Sequence, residues 1–298
     1  MSEFSGHPYI LVPEFALLSS LPAHQVKRFE TALALMHSES GQQLCWEQIA
    51  EQSAISPYHF HRQFTQVFHE TPGQYLSRVR LQRAVSLLLS SPGQKITEVA
   101  FATGYSSSQA LAKVIKRELG LTARAVRQLA KTGTPDETAA LLSRLSHPAG
   151  SDSSEYQMAY DLPCERIWYP ARHIRKQHRP DFDWDEIIQN WQPSCRKLCC
   201  VTPIADLERP WQEMRYTAGV IQESGISSDI TLPEGDYFCA LVCLTSDVAY
   251  IAAIESLFEQ AASYGYKIDE GGCLIEQVIE VEPGELGRVT FMFQCLLK

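Results

Sequence analysis

Residues 44–73 read LCWEQIAEQSAISPYHFHRQFTQVFHETPG, and residues 95–124 read KITEVAFATGYSSSQALAKVIKRELGLTAR. The second stretch repeats the pattern of the first. Ala50 answers to Ala100, Ile55 to Tyr105 and Ser56 to Ser106. After a one-residue shift, Arg62 answers to Lys113, Phe64 to Ile115, Phe68 to Leu119 and Thr71 to Thr122. Each copy has the punctuation of a short helix, a tight turn and a longer helix. Pro57 suits the first turn of a helix, where its missing N–H would be unpaired anyway, and Ser56 suits the N-cap before it. Gly104 supplies the turn between the two helices of the second copy. A helix-turn-helix lays its second helix in the major groove of B-DNA, so two copies predict one chain gripping two successive grooves.

Around the repeat, residues 25–39 carry Val26, Phe29, Ala32, Leu33 and Met36 at amphipathic-helix spacing. Residues 73–90 read as one long helix joining the two motifs, stopped by Ser-Pro-Gly at 91–93, and a short helix ends near Ala130. Residues 1–22 read as a poorly ordered arm, 23–131 as an all-α double helix-turn-helix domain and 132–154 as a linker, with a possible Ala/Leu-rich helix at 137–145. From 155 to 298 the pattern turns to strands. The candidates are 166–172, 197–203, 215–222, 237–244, 274–281 and 288–297, with helices at 184–191 and 248–264. The order strand, helix, strand, strand occurs twice, which predicts an α+β domain with antiparallel pairing.

Net charge is −9 over the 298 residues, yet it is unevenly spread. Residues 56–131 hold 11 basic and 3 acidic side chains, whereas residues 151–298 hold 12 basic and 24 acidic. The cationic potential therefore coincides with the repeat, as a phosphate-binding face requires. The acidic half would repel DNA and suits a neutral or cationic ligand. Nine cysteines without disulfide-like spacing, several in apolar strands, read as small hydrophobes in a reducing cytoplasm. No apolar run approaches the ~18 residues of a membrane span, and the N-terminus lacks the cationic start of a signal peptide.

A recognition helix needs outward polar side chains at its N-terminal end. These are Tyr58, His61 and Arg62 in the first motif and Ser108, Gln109 and Lys113 in the second. Arg and Lys can donate to guanine O6/N7, and Gln can pair with adenine. Arg78, Arg80, Arg83, Lys116, Arg117 and Arg127 are expected to face phosphates. Ser108, Ala110 and Ala112 are small, so the second helix is expected to discriminate less among bases.

The stretch ITEVAFATGYSSSQALAKVIKRELGLTARAVR, at 96–127, resembles the signature of the AraC/XylS regulators. Gly104, Tyr105, Ser106, Lys113, Lys116, Gly120 and Thr122 carry the match, and the resemblance covers about residues 25–130. It implies two helix-turn-helix units reading adjacent major grooves. The departures are Ala123 for the usual Pro, Ile115 and Leu111 for common aromatics, and Val126 for Tyr. His69 stands where a Gly is usual, a cost if that backbone is left-handed.

The last 140 or so residues resemble the GyrI-like effector-binding domain, through the duplicated order, Arg215-Tyr216, the run 232–237 (LPEGDY) and Glu276. That resemblance implies an acidic residue in a ligand cleft between the repeats. On period-two geometry Ile275, Ile279 and Val281 share one face of the strand, and Leu274, Glu276 and Val278 the other. If the Ile face packs on the 248–264 helix, Glu276 enters a groove on the opposite face. There a carboxylate among Trp168, Trp191, Trp211 and Tyr216 would receive a lipophilic cation. Glu276 reads equally as a solvated strand residue, and each Trp as ordinary core. The family's Gly-Pro-Tyr after the first-repeat His is missing, because His173 is followed by Ile174-Arg175-Lys176.

Cys195, Cys199 and Cys200 with His173 and His178 match no common zinc spacing, and no nucleophile elbow is present. No catalytic residue, metal or cofactor is therefore expected. The reading is a cytoplasmic transcription regulator whose partners are double-stranded DNA, a small-molecule effector and RNA polymerase, with no membrane, as a monomer or homodimer. Two alternatives stay open. The C-terminal domain binds a protein partner, or it is a small-molecule hydrolase using Glu276 and a Tyr, as some relatives of the GyrI-like fold imply.

Overall fold

The computed structural model describes residues 6–38, 44–148, 154–177, 197–222, 228–281 and 288–298. The helical half contains α1 (Pro13–Leu18), α2 (Ala23–His37), α3 (Trp46–Gln52), α4 (Pro57–Phe68), α5 (Pro72–Ser90), α6 (Ile96–Ala102), α7 (Ser108–Leu119) and α8 (Ala123–Thr132). In α4, Phe60, Phe64 and Phe68 recur every four residues and are fully buried. Their rings lie 5.9, 6.2 and 5.9 Å from that of Phe29 on α2, and Phe64 meets Tyr75 of α5 edge-on at 5.3 Å. In α7, Leu111, Ile115 and Leu119 form the equivalent stripe over a second core.

The duplication extends to the backbone. The turns of the two motifs hold left-handed residues, Ala54 (φ 56°) and Gly104 (φ 76°), and the longer helices end on His69 (φ 57°) and Gly120 (φ 67°). The first copy thus bears at Ala54 and His69 a steric cost that the second avoids with glycine. Ser56 occupies the N-cap position of α4, but its side chain makes no cap hydrogen bond. Ser107 caps α7 and Thr122 caps α8, each accepting from a backbone N–H at 3.1 Å.

In the expected linker and arm, the described residues 132–148 and 6–22 contain helices and a strand. Within 132–154, α9 (Pro135–Ser143) buries Leu141 and Leu142 in the second helix-turn-helix core. Residues 155–160, read as the start of the strand region, form α10 (Glu155–Tyr160) instead. In the arm, β1 (Tyr9–Ile10) pairs in parallel with β7 (Gly235–Leu244), Tyr9 opposite Val242 and Ile10 opposite Cys243, and α1 follows.

The other strands are β2 (Cys164–Tyr169), β3 (Arg172–Lys176), β4 (Leu198–Pro203), β5 (Thr217–Gln222), β6 (Ile230–Leu232), β8 (Cys273–Val281) and β9 (Val289–Leu296). They form one sheet in the order β1-β7-β9-β8-β4-β5-β3-β6, with β2 also on β7. The run 7-9-8 is mirrored by 3-5-4 across the β8–β4 junction. The expected helix at 184–191 lies outside the described residues. The second expected helix is α11 (Asp247–Ser263), which packs through Ala249, Ala252, Ala253 and Leu257 on Phe238, Leu274, Val278, Phe291 and Phe293.

The sheet is rolled. In a flat sheet β3 and β7 would lie five strand spacings apart, about 24 Å. Yet the guanidinium of Arg172 on β3 lies 4.8 Å from the Tyr237 ring centroid on β7. The link between β2 and β3 is only Pro170-Ala171, which draws the two ends of the sheet together. The inner face of the roll buries Ile167, Ile174, Cys199, Val201, Leu241, Ile275 and Met292.

The two halves meet over a buried polar cluster. Arg78 of α5 donates to Glu70 at 2.7 Å, and Glu14 of α1 lies 3.9 Å from the same guanidinium. Tyr75 Oη donates to Glu14 at 2.8 Å and meets His37 Nε2 at 2.8 Å. His147 lies 3.7 Å from Glu70, and its backbone N–H donates to Glu155 of α10 at 2.9 Å. Burial pushes the His147 imidazole down to about 4, so it is neutral. Arg78, expected on a phosphate, is therefore turned inward because its counter-charges are there. Replacing Arg78 by Ala leaves two buried carboxylates without their cation. The expected loss is about 3–5 kcal/mol of stability in urea unfolding, whether or not DNA is present.

Candidate nucleic-acid interface and ligand site

The recognition faces are polar and open. On α4, Tyr58 is 72% exposed, and His59, His61, Arg62 and Gln66 are exposed around it. Trp46 of α3 packs edge-on against His61 at 5.4 Å, which fixes that ring at the surface. On α7, Gln109, Ala112 and Lys113 are exposed and Ser108 is half-buried. A groove of about 640 Å³ runs between the N-terminal ends of α6, α7 and α8. Its polar lining is Lys95, Thr97, Ser108, Gln109, Thr122, Arg124 and Arg127. Lys95 and Arg124, both exposed, are cations the sequence reading did not single out. Their signal was present, since each sits within one residue of a helix start.

Other expected phosphate contacts have structural partners. Arg80 donates to the Leu44 carbonyl at 2.9 Å, and Arg127 donates to the Gln94 carbonyl. Lys116 donates to the Gly120 carbonyl at 2.7 Å, and Arg117 pairs with Glu118 at 2.5 Å, although both stay exposed. The C-terminal end of α7 is closed by Arg144, just past α9, which donates to the carbonyls of Leu119 and Glu118 at 2.8 and 2.7 Å.

In the C-terminal half, the face assigned to Glu276 needs correction. Glu276 shares a face with Leu274 and Val278, as expected, but that face is the one covered by α11. The Ile275 face lines the inside of the roll. A register shift between Val278 and Glu280 moves Val281 onto the Leu274 side and leaves Ile279 on the inner side. Glu276 is 4% exposed. It accepts hydrogen bonds from Tyr250 Oη of α11 and from the Thr202 hydroxyl, and it pairs across the sheet with Phe293 and Cys200. Tyr250 in turn meets Phe291 and Phe293 edge-on at 5.9 and 5.5 Å. Burial pushes the carboxyl up to about 7, despite both hydrogen bonds.

The expected aromatic walls do not converge on Glu276. Trp168 is exposed on β2, three strands from β8 and four residues along from Cys164, which lies in the Glu276 row. Trp211 packs against the second helix-turn-helix core. Trp191 lies outside the described residues. Tyr216, exposed, stands on Glu276's face by strand alternation, two residues from Ala218, which pairs with Cys200. Tyr250, the aromatic that does touch Glu276, was missed because it lies on a helix whose register against the sheet is not written locally.

Two helix-turn-helix units in tandem, each with an open polar recognition face, define the helical half as a DNA-binding type of domain. Residues 49–129 match the helix-turn-helix domain family. The HTH-type transcriptional activator RhaS of Klebsiella pneumoniae is 36% identical over 101 residues, covering 34% of this chain and 36% of the relative. RhaS of Citrobacter koseri is 32% identical over 106 residues, 36% and 38% of the two chains. The chain thus spans little more than a third of the length of these curated relatives. Among solved structures, an AraC-type regulator from Chromobacterium violaceum is 25% identical, covering 36% of this chain and 96% of that one, with a TM-score of 0.33. The DNA-binding domain of AdpA in complex with a target DNA is 26% identical, covering 39% and 91%, with a TM-score of 0.29. Residues 49–129 are therefore a helix-turn-helix domain, followed by a mixed helix and sheet region.

The raised carboxyl of Glu276 has a signed consequence. Its folded value, about 7, exceeds the ordinary 4.5, so the stability it contributes is complete below 4.5 and is lost as pH rises toward 7. Glu276→Gln keeps the neutral form at every pH. The variant is expected to be more stable than the wild type at pH 8 by on the order of 1–3 kcal/mol, with a smaller difference at pH 5 in parallel urea melts.

Proposed function

We propose that the chain is a DNA-binding transcriptional regulator of the AraC type, controlled by a small ligand bound in its C-terminal half. The observation that carries the first part is the pair of exposed recognition faces on a segment with 11 basic and 3 acidic residues. Tyr58, His61 and Arg62 read bases from α4, and Ser108, Gln109 and Lys113 read them from α7. Helix α5 has 19 residues, about 28 Å at 1.5 Å per residue, of the order of the ~34 Å between successive major grooves. Lys95 and Arg124 add phosphate contacts beside α7.

The second part rests on Glu276. A buried carboxylate with aromatic neighbours and, among the described residues, no cation attracts a lipophilic cation, once Tyr250 yields its place. The mirrored strand order 7-9-8 and 3-5-4 supports the GyrI-like reading, in which two repeats flank that residue. A physical route to the DNA face runs from Glu276 through Tyr250 to α11. From there it passes to α9, which packs on α11, and to Arg144, which caps α7. The Tyr250–Glu276 hydrogen bond also favours a second reading, hydrolysis of a small molecule, which turnover lost in Glu276→Gln would support.

Thermal melts of the full chain with tetraphenylphosphonium test the effector half. The melting temperature should rise in the wild type and not in Glu276→Gln. No rise in the wild type would sink the cation reading and leave the DNA reading intact. On DNA, Arg62→Ala should weaken binding to the preferred sequence by about 1–3 kcal/mol and weaken random sequence less. Equal weakening on every sequence in a gel-shift titration would reduce Arg62 to a phosphate contact.

A further inference from the structure

Arg172 opens β3, immediately after the two-residue link that rolls the sheet, and its side chain enters the inner face. Its guanidinium lies 4.1 Å from the ring centroid of Tyr169 and 4.8 Å from that of Tyr237. Nη1 donates to Gln294 Oε1 at 2.6 Å, and Gln294, itself fully buried, passes a hydrogen bond to Gln277 at 3.3 Å. The guanidinium also lies within reach of the Tyr237 hydroxyl. Nε and Nη2 are shut off from solvent and have no hydrogen-bond partner, and among the described residues no carboxylate pairs with the group.

This is an unusual state for a permanent cation. Arg stays protonated in proteins, so burial cannot be relieved by losing the proton. The residue is half-buried, and two tyrosine faces, the Tyr237 hydroxyl and one amide oxygen replace only part of the hydration that its shielded edge has lost. The two idle donors are not scattered. Nε–H and Nη2–H lie parallel on one edge of the planar group, spaced for the two oxygens of one carboxylate. The rest of the inner face offers apolar side chains and thiols, with Cys199 and Cys239 nearby. That edge of the guanidinium fits a single planar anion with an apolar body.

The geometry points to Arg172 as the receptor for a small organic carboxylate bound inside the rolled sheet. The carboxylate takes the Nε/Nη2 edge, and the apolar body lies against Tyr169 and Tyr237. Tyr169, half-buried, is the more exposed of the two rings and the one that entry displaces. The site is separate from Glu276, which faces the opposite side of the sheet and selects the opposite charge. It does not depend on the cation reading.

The test is a thermal melt of the full chain in sodium benzoate against sodium chloride at equal ionic strength, with Arg172→Met, Arg172→Lys and Glu276→Gln alongside. The wild type should melt higher in benzoate, and so should Glu276→Gln. Arg172→Lys keeps the charge but lacks the fork, so it should not respond. Arg172→Met should melt higher than the wild type in chloride, since it removes a half-buried charge that is only partly compensated, and should ignore benzoate. No benzoate-dependent rise in the wild type overturns the proposal, and this outcome needs no variant to fold. So does a lower melting temperature for Arg172→Met in chloride, which would make the guanidinium a structural support. A response lost in Glu276→Gln and kept in Arg172→Lys would place benzoate elsewhere.

Discussion

A guanidinium taken into an apolar interior must bring its counter-charges with it, and much of this architecture follows from where Arg78 finds them. Glu70 comes from the end of the first helix-turn-helix, just before α5. Glu14 comes from α1, which the chain can deliver only if the arm folds back across α2, α4 and α5. Glu155 comes from the far side of α9, held by the backbone N–H of the neutral His147. Each of these groups is buried, and each is tolerable there only because the others are present. The cluster therefore fixes three segments that hydrophobic patterning alone would leave free. They are α1 of the arm, the stretch around His147 and the first turn of α10.

The same economy of contacts holds the second motif to the C-terminal half. Trp211 and Ile251 pack on the core beneath α7, and Gln212 donates to the Leu89 carbonyl at the end of α5. Arg144 closes the carbonyl end of α7 from outside the motif. A recognition helix capped by a side chain from the connecting segment cannot shift without disturbing that segment. The region between the halves is thus a packed element, held on one side by α8 and on the other by α11.

The duplicated motif was legible because everything that makes it is local. Apolar stripes at i and i+4, a proline in the first turn and a glycine in the tight turn all lie within thirty residues. The left-handed backbone at His69 was flagged as a condition by the family resemblance, in which a Gly is usual at that place. The misreadings share one cause. Arg78 lies on a basic stretch, and only Glu14, 64 residues earlier, and His147, 69 later, reveal that it is buried. Glu276's strand face was assigned correctly, but which face the helix covers depends on how the sheet rolls, and that is set by a two-residue link more than a hundred residues away. The bulge near Val278 then breaks the alternation on which the assignment of Val281 rested. The tryptophans were grouped by chemistry, and the fold sends Trp168 and Trp211 to different surfaces.

The parallel pairing of β1 with β7 joins residues more than 230 positions apart. A ribosome releases Tyr9 and Ile10 more than 230 residues before Val242 and Cys243. Through that interval the arm has no strand to join, while the two helix-turn-helix units, whose contacts are mostly local, are free to fold. The arm is the last piece of the N-terminus to find its place. When it does, it covers the part of the β7 edge that β2 leaves open, so a nascent or clipped chain without it presents bare backbone to its neighbours.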